Sequence, residues 1–384
     1  MANFNGQLKS NEIFSALYNM IISQQVFAEN IKGTKSALVD MAKMDGSMYG
    51  DTKLYYSTDA LKSTAWGNDA EAASLLKLYR PKAPECQAIT LNVFRQISLT
   101  VDNYLSKRAW GTEGAFSEFN SVMLGWIRET KRVYDSTVYN TYIGTAVSPK
   151  ASENITVNVT TAVDGLTGEE KARVEAGIIG EAIAKLLVNL EDISRDYNDY
   201  GHLRSYNSED LVFVWNSDAM AKIEKRDLPT IFHKEILDKF GEYTLPARYF
   251  GTVGTAAIAL AANDGTKRST IEADYATAAN AAVTHVFPGD LIPQKTALVT
   301  AYNDDGTAKT ISAGIAAGDY YTVDSTVLFK VYHKGPNSVP YMSAFEVGTS
   351  FFNPKSLTEN HYLTFGHNTL EYLKNYPFIT VKQA

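Results

Sequence analysis

Residues 88–104 read AITLNVFRQISLTVDNY, and the alternation in this stretch decides the fold. Ile89, Leu91, Val93, Arg95, Ile97, Leu99 and Val101 fall on one side of an extended chain. Thr90, Asn92, Gln96, Ser98 and Thr100 fall on the other, Phe94 being the exception. A period of two residues held this long predicts a β-strand. Strands in compact domains usually run about 5–6 residues, so one near three times that length suits a protruding two-stranded ribbon. Its expected partner is Lys53 to Thr58, where Gly46 and Gly50 break helix and Leu54-Tyr55-Tyr56 favours strand. The loop signal Tyr79-Arg80-Pro81-Lys82-Ala83-Pro84 precedes the long strand.

On either side of this ribbon the period changes to that of helices. Ile13, Leu17 and Ile21 repeat every four residues and predict a helix over Ser10 to Ile31, with a short one over Lys35 to Lys43. Downstream, Phe116, Phe119, Met123, Trp126 or Ile127, Thr130, Val133 or Tyr134, Val138 and Tyr142 trace a stripe over Glu113 to Ile143. That helix would be a rod of about 45 Å, with Gly144 placed to stop it and Arg128, Lys131 and Arg132 on a solvated face. Thr167-Gly168-Glu169-Glu170 reads as a capping box opening a helix that runs to Asn198. Its apolar side is Ile179, Ile183, Leu186, Leu187, Leu190, Ile193 and Tyr197.

Leu211-Val212-Phe213-Val214-Trp215 is apolar throughout and predicts a buried central strand. Ser217 or Asp218 would cap a short helix after it, and Pro229 opens another over Ile231 to Phe240. Helix, strand and helix in this order make an α/β layer. From about 255 to 325 the chain becomes Ala-, Thr- and Gly-rich. Asp264-Gly265 and Asp305-Gly306 stand between β-forming runs and predict hairpins. Val323 to Tyr332 reads as one further strand. The tail, Tyr341 to Lys382, alternates again and ends in a strand expected to return to early elements and close the unit that holds the rod.

Composition narrows the class. The 384 residues include 36 Lys and Arg against 43 Asp and Glu, a formal charge of -7. No basic footprint for sequence-specific duplex binding exists. Met1 to Lys9 lacks the apolar core of a secretory signal, and no run of about 18 apolar residues predicts a membrane span. One cysteine, Cys86, excludes an intrachain disulfide, and it stands beside Glu85, an unfavourable place for a nucleophilic thiolate. The 23 Tyr suit either protein interfaces or ordinary half-buried strands.

A search for chemistry assigns no catalytic, cofactor-binding or metal-ligating residue. Gly177-x-x-Gly180 and Gly251-x-x-Gly254 lack the remainder of any phosphate-loop motif and read as packing or turn glycines. Of His202, His233, His285, His333, His361 and His367, only the last two are near in sequence. In a strand they would stand about 20 Å apart, too far to share a metal.

The order of parts resembles the major capsid proteins of tailed bacteriophages, the Hong Kong 97 fold, an α+β architecture. The stretches that carry it are DGSMYGDTKLYYST at 45–58, ITLNVFRQISLTVDNYLSKRAW at 89–110, SEFNSVMLGWIRETKRVYDSTVYNTYIGT at 117–145 and SEDLVFVWNSDAMAKI at 208–223. The resemblance implies an N-terminal arm at 1–45, an extended loop at 46–100 and a peripheral domain at 101–149 plus 336–384, with a spine helix at 113–143. It further implies an axial domain at 150–335 that includes the β-rich insertion. It implies a structural, non-enzymatic subunit assembling as hexamers and pentamers in an icosahedral shell around double-stranded DNA, inside a host bacterium. An arm of about 45 residues is too short for a large built-in scaffold, so a separate scaffolding protein or none is implied. Portal and decoration proteins are further possible partners, and no membrane is one.

Two rival readings come from other classes. The Thr-, Asp- and Gly-rich region 255–325 suits a surface-layer or adhesin module, though no export signal is found. An α/β hydrolase or transferase would need Asn216, Ser217 and Asp218 as its polar constellation, and helix capping explains those residues more simply.

Overall fold

A computed structural model of the chain describes residues 37–46, 50–63, 78, 80–102, 113–224, 241–253, 255, 284–286, 299–302, 308–311 and 320–384. The helices expected over Ser10 to Ile31 and Ile231 to Phe240, and the Asp264-Gly265 hairpin, lie outside these residues.

In chain order the larger elements are α1 (Ala37–Ala42), β1 (Lys43–Asp45), β2 (Thr52–Ser57), β3 (Glu85–Asp102), α2 (Glu113–Thr145), β4 (Asn154–Val157) and α3 (Gly168–Glu191). There follow β5 (Leu211–Asn216), α4 (Ser217–Glu224), β6 (Gly241–Leu245), β7 (Gly251–Val253), β8 (Thr284–Val286), β9 (Val299–Tyr302), β10 (Ala308–Ile311) and β11 (Tyr320–Val323). The chain closes with β12 (Val327–His333), β13 (Tyr341–Asn353), β14 (Thr358–Asn368) and β15 (Phe378–Gln383).

Two five-stranded sheets organise these pieces. The first has the order β1-β13-β14-β3-β2, the second β4-β15-β12-β5-β6. The long strand exists, but its pairing corrects the ribbon expectation. Residues 85–90 pair with β2, whereas 91–102 pair antiparallel with β14, from Leu91 opposite Asn368 to Asp102 opposite Thr358. The tail thus supplies the partner for most of β3, and the ribbon is two strands wide only at its first third.

The second sheet is the α/β layer. Every residue of β5 is buried, as the unbroken apolar run requires. One face packs under α3, where Ile179, Ile183, Leu186, Leu187 and Leu190 meet Phe213, Trp215, Phe329 and Val331. The other face packs under α1 and the C-terminal part of α2, where Leu38, Tyr139 and Ile143 meet Val212, Val214, Tyr332 and Phe378. The closing strand β15 belongs here, between β12 and β4. Its Phe378 packs against Tyr142 of the rod, and the hairpin β13–β14 makes a second return, to the first sheet.

Several local readings also change. Helix α2 continues through Gly144 to Thr145. Gly144 is needed for contact rather than termination, since a Cβ there would lie 1.9 Å from the Tyr249 carbonyl oxygen. Helix α3 starts after Thr167, but the Thr167 side chain makes no capping hydrogen bond, and the helix ends at Glu191. Ile193, expected on its apolar side, is exposed. The single strand expected over Val323 to Tyr332 is two, broken where the Asp324 carboxylate accepts from the Thr326 backbone N–H at 3.0 Å. Strands β9 and β10 pair antiparallel, and the Asp305-Gly306 turn expected between them lies outside the described residues.

Candidate assembly surface

The β2–β3 pair presents two unlike faces because side chains alternate. Lys53, Tyr55 and Ser57 turn inward. Tyr55 packs on the cluster of Ile89, Leu91, Met342 and Leu373, and its hydroxyl reaches the Met44 sulfur at 3.3 Å. On the other face Thr52, Leu54 and Tyr56 stand opposite Thr90, Ala88 and Cys86. The two threonine hydroxyls bond at 3.1 Å. Beyond them Leu54 is 53% and Tyr56 66% exposed, with Cys86 and Ala88 exposed beside them. Apolar side chains placed in register across two strands make a contiguous bare face, the form in which surface apolarity carries meaning.

A second bare region is the β13–β14 tip. Beyond Ser343, where β1 stops, β13 has no partner on its outer edge among the described strands. Val347, Phe351, Phe352 and Leu357 are all exposed there. Successive residues Phe351 and Phe352 point to opposite faces, so neither face of the tip is fully covered.

The rod is tied to this sheet by polar contacts inside the protein. Lys131 lies buried and pairs with Asp135 at 3.0 Å, so its place on a solvated face is corrected. Tyr341 donates to the second Asp135 oxygen at 2.6 Å. The Tyr134 hydroxyl and His367 Nε2 lie 3.0 Å apart, and His367 Nδ1 is 2.8 Å from the Asn368 carbonyl oxygen. The carbonyl can only accept, which places the ring proton on Nδ1 and makes Nε2 the acceptor. Burial holds the His367 ring below its ordinary value, so it stays neutral near neutral pH.

Two further charges are buried. Lys330, in the middle of β12, donates to the Ala146 carbonyl oxygen just past the end of α2, where the helix dipole favours a cation. Burial still pulls its ammonium down to about 7. Glu153 is fully buried, and neither carboxyl oxygen has a hydrogen-bond partner among the described residues. Burial pushes it up to about 8.

Asn216, Ser217 and Gly251, weighed for chemistry, have structural work. Asn216 is the cap that sequence reading gave to Ser217 or Asp218. Its side-chain oxygen accepts from the Asp218 N–H at 3.1 Å and its amide donates to the Val327 carbonyl at 3.0 Å. The Ser217 hydroxyl accepts from the Ala247 N–H at 3.2 Å. Gly251 packs against β11, where a Cβ would lie 2.5 Å from the Thr322 carbonyl oxygen. Among the described residues no group of three or more His, Cys, Asp or Glu could hold a metal ion. Tyrosine gave a weaker signal than its count suggested. Tyr134, Tyr139, Tyr206, Tyr249, Tyr321, Tyr332 and Tyr341 are buried in this chain's own core, and Tyr56 stands out as exposed.

The chain matches the family model for Phi29-like phage major capsid protein over residues 3–381. Among solved structures it is similar to a chain in the capsid of Staphylococcus phage Andhra, at 11% identity and a TM-score of 0.58, over 94% of this chain and 87% of that one. It is also similar to a chain in the structure of head fiber and inner core protein gp22 of native bacteriophage P68. There the identity is 10% and the TM-score 0.55, over 88% of this chain and 82% of that one. At these identities the likeness is one of fold. No curated protein matches the chain.

Proposed function

The chain belongs to the Phi29-like phage major capsid protein family, and from that premise we propose that it builds an icosahedral shell of hexamers and pentamers around double-stranded DNA by pressing the outer face of the β2–β3 pair onto a neighbouring copy. Its fold is the Hong Kong 97 type and its place is the virion capsid. The role is structural, with no catalysis. Assembly takes place in the host cytoplasm, and packaged DNA touches the inner wall without sequence preference. The loop at 46–100, the peripheral parts at 101–149 with 336–384 and the axial part at 150–335 act as assembly regions, joined where β15 enters the axial sheet.

One observation carries this reading. Leu54 and Tyr56 stand bare on an ordered strand pair, while the tyrosines around the core are covered by the chain itself. Burying such a face on a sister copy removes apolar area from water at about 25 cal/mol per Å². A shell subunit repeats that gain at each neighbour. The net charge of -7 fits a wall that must not grip its DNA.

The experiment is sedimentation of the expressed protein beside a Leu54→Ser, Tyr56→Ser variant, each with the assembly partners that the wild type needs. The wild type is expected as capsomers and shells. The variant should remain an unassembled subunit with an unchanged unfolding midpoint, because exposed side chains contribute little to stability. Shells from the variant at wild-type yield would remove the β2–β3 face from the interface. The surface-layer reading has no support from the family match.

A further inference from the structure

The chain leaves β2 at Ser57, Thr58 and Asp59, and these three residues are held by a part of the chain far away in sequence. Residues 194–204 form a closed loop. Ser194 and Arg204 exchange two backbone hydrogen bonds at 3.0 Å each. Inside it the Asn198 side chain bonds both the His202 N–H and the His202 carbonyl at 2.8 Å. Gly201 supplies the left-handed turn, at φ 67. Lys150 ties the loop down by donating to the Arg195 and Asn198 carbonyls.

This braced loop presents two guanidinium groups and a backbone N–H to the residues that follow β2. Arg195 donates to one Asp59 oxygen at 2.6 Å, while its own position is set by the Gly201 carbonyl at 2.7 Å. The Leu203 N–H donates to the other Asp59 oxygen at 3.0 Å, and the Ala60 N–H to the same oxygen at 2.8 Å. Arg204 donates to the Thr58 carbonyl at 2.6 Å and reaches the Asn375 side-chain oxygen at 3.2 Å. Ser57 shares that Asn375 oxygen at 2.6 Å. The opposite strand is fixed to the same support. Gln87 donates to the Tyr372 carbonyl and accepts from the Lys374 N–H, both at 3.0 Å.

We propose that residues 194–204 are a cradle that fixes how the end of the β2–β3 pair is anchored to the rest of the chain, and that Asp59, Arg195 and Arg204 are positioning residues for assembly. The proposal rests on the reading that the β2–β3 face meets a neighbour. The interface patch on the β2–β3 pair can reach only one place on the next copy if the end of the pair is held at a fixed angle. A lone surface ion pair would not fix it. A carboxylate shared by a guanidinium and two backbone N–H groups has a defined direction, because each donor restrains a different oxygen or lone pair.

The test labels the unassembled subunit at two exposed positions, Leu61→Cys and Val188→Cys, with Cys86→Ser removing the native thiol. Pulsed spin-label spectroscopy then gives the distribution of distances between them. The wild-type cradle is expected to give a narrow distribution, and Asp59→Asn to broaden it at least twofold with the unfolding midpoint unchanged. Arg195→Gln in the Asp59→Asn background should add little further broadening, since the carboxylate that Arg195 meets outside its own loop is already gone. A distribution as narrow in Asp59→Asn as in the parent overturns the proposal. Shell yield separates this from the reading beneath it. Asp59→Asn should lower closed shells about tenfold at intact subunit stability. If instead the Leu54→Ser, Tyr56→Ser variant assembles normally, the face reading fails, while the distance measurement still decides the cradle.

Discussion

Lys330 and Glu153 titrate in opposite directions, and their effects on stability can be separated by pH. Burial raises Glu153 from 4.5 to about 8, so the native state holds a proton that the unfolded chain has lost. Its contribution is present at acid pH and is lost as pH climbs from 4.5 through 8. Burial lowers Lys330 from 10.5 to about 7, so the unfolded chain binds the extra proton. Its contribution is present at alkaline pH and is lost as pH falls from 10.5 through 7. The two together predict a shallow minimum of stability between pH 7 and 8. Denaturation of the unassembled subunit across pH 4.5 to 10.5 should show it. Glu153→Gln should flatten the acid side and Lys330→Met the alkaline side. Unchanged profiles in both variants would mean that these groups are not buried in solution.

At the scale of elements, period and composition located the longer described helices and strands but not the short β1, β6, β7 and β8, and the partners of those elements were not written in the pattern. An 18-residue strand announces its length through alternation. Nothing in that alternation says that residues 91–102 pair with a strand more than 250 positions away, because pairing depends on register between distant segments. Cap chemistry misled in the same local way. Thr167 has the right residue type and spacing, yet its hydroxyl makes no bond to the helix. Thr167→Ala is therefore expected to cost under about 0.5 kcal/mol, against roughly 1 for a working cap, as read by chemical denaturation. A loss near the larger figure would show that the cap forms in solution.

The whole molecule divides into a well-covered centre and thinly supported extremities. Strands β5 and β12 are buried on both faces and paired on both edges. The β13–β14 tip has an edge with no partner among the described strands, and exposed aromatics. In the unassembled subunit, backbone amides of 212–216 and 328–332 should exchange slowest and those of 347–356 among the fastest, since local opening costs least where few apolar contacts must break. Assembly should slow exchange in 52–57, and failure to do so would count against the β2–β3 interface. Equal protection of the tip and β12 in the free subunit would contradict the division.

Amino-acid order by itself determined the long strand, the rod and the buried apolar strand, because each depends on neighbours a few residues apart. It also carried the resemblance to tailed-phage capsid proteins through the succession of those parts. Only the tertiary structure decided that the tail completes the first sheet, that seven of the described tyrosines are buried within the chain itself, and that Asp59 lies in the grip of Arg195. Those facts depend on residues that meet only after the chain has folded, with 136 positions between Asp59 and Arg195, and no local pattern encodes such a meeting.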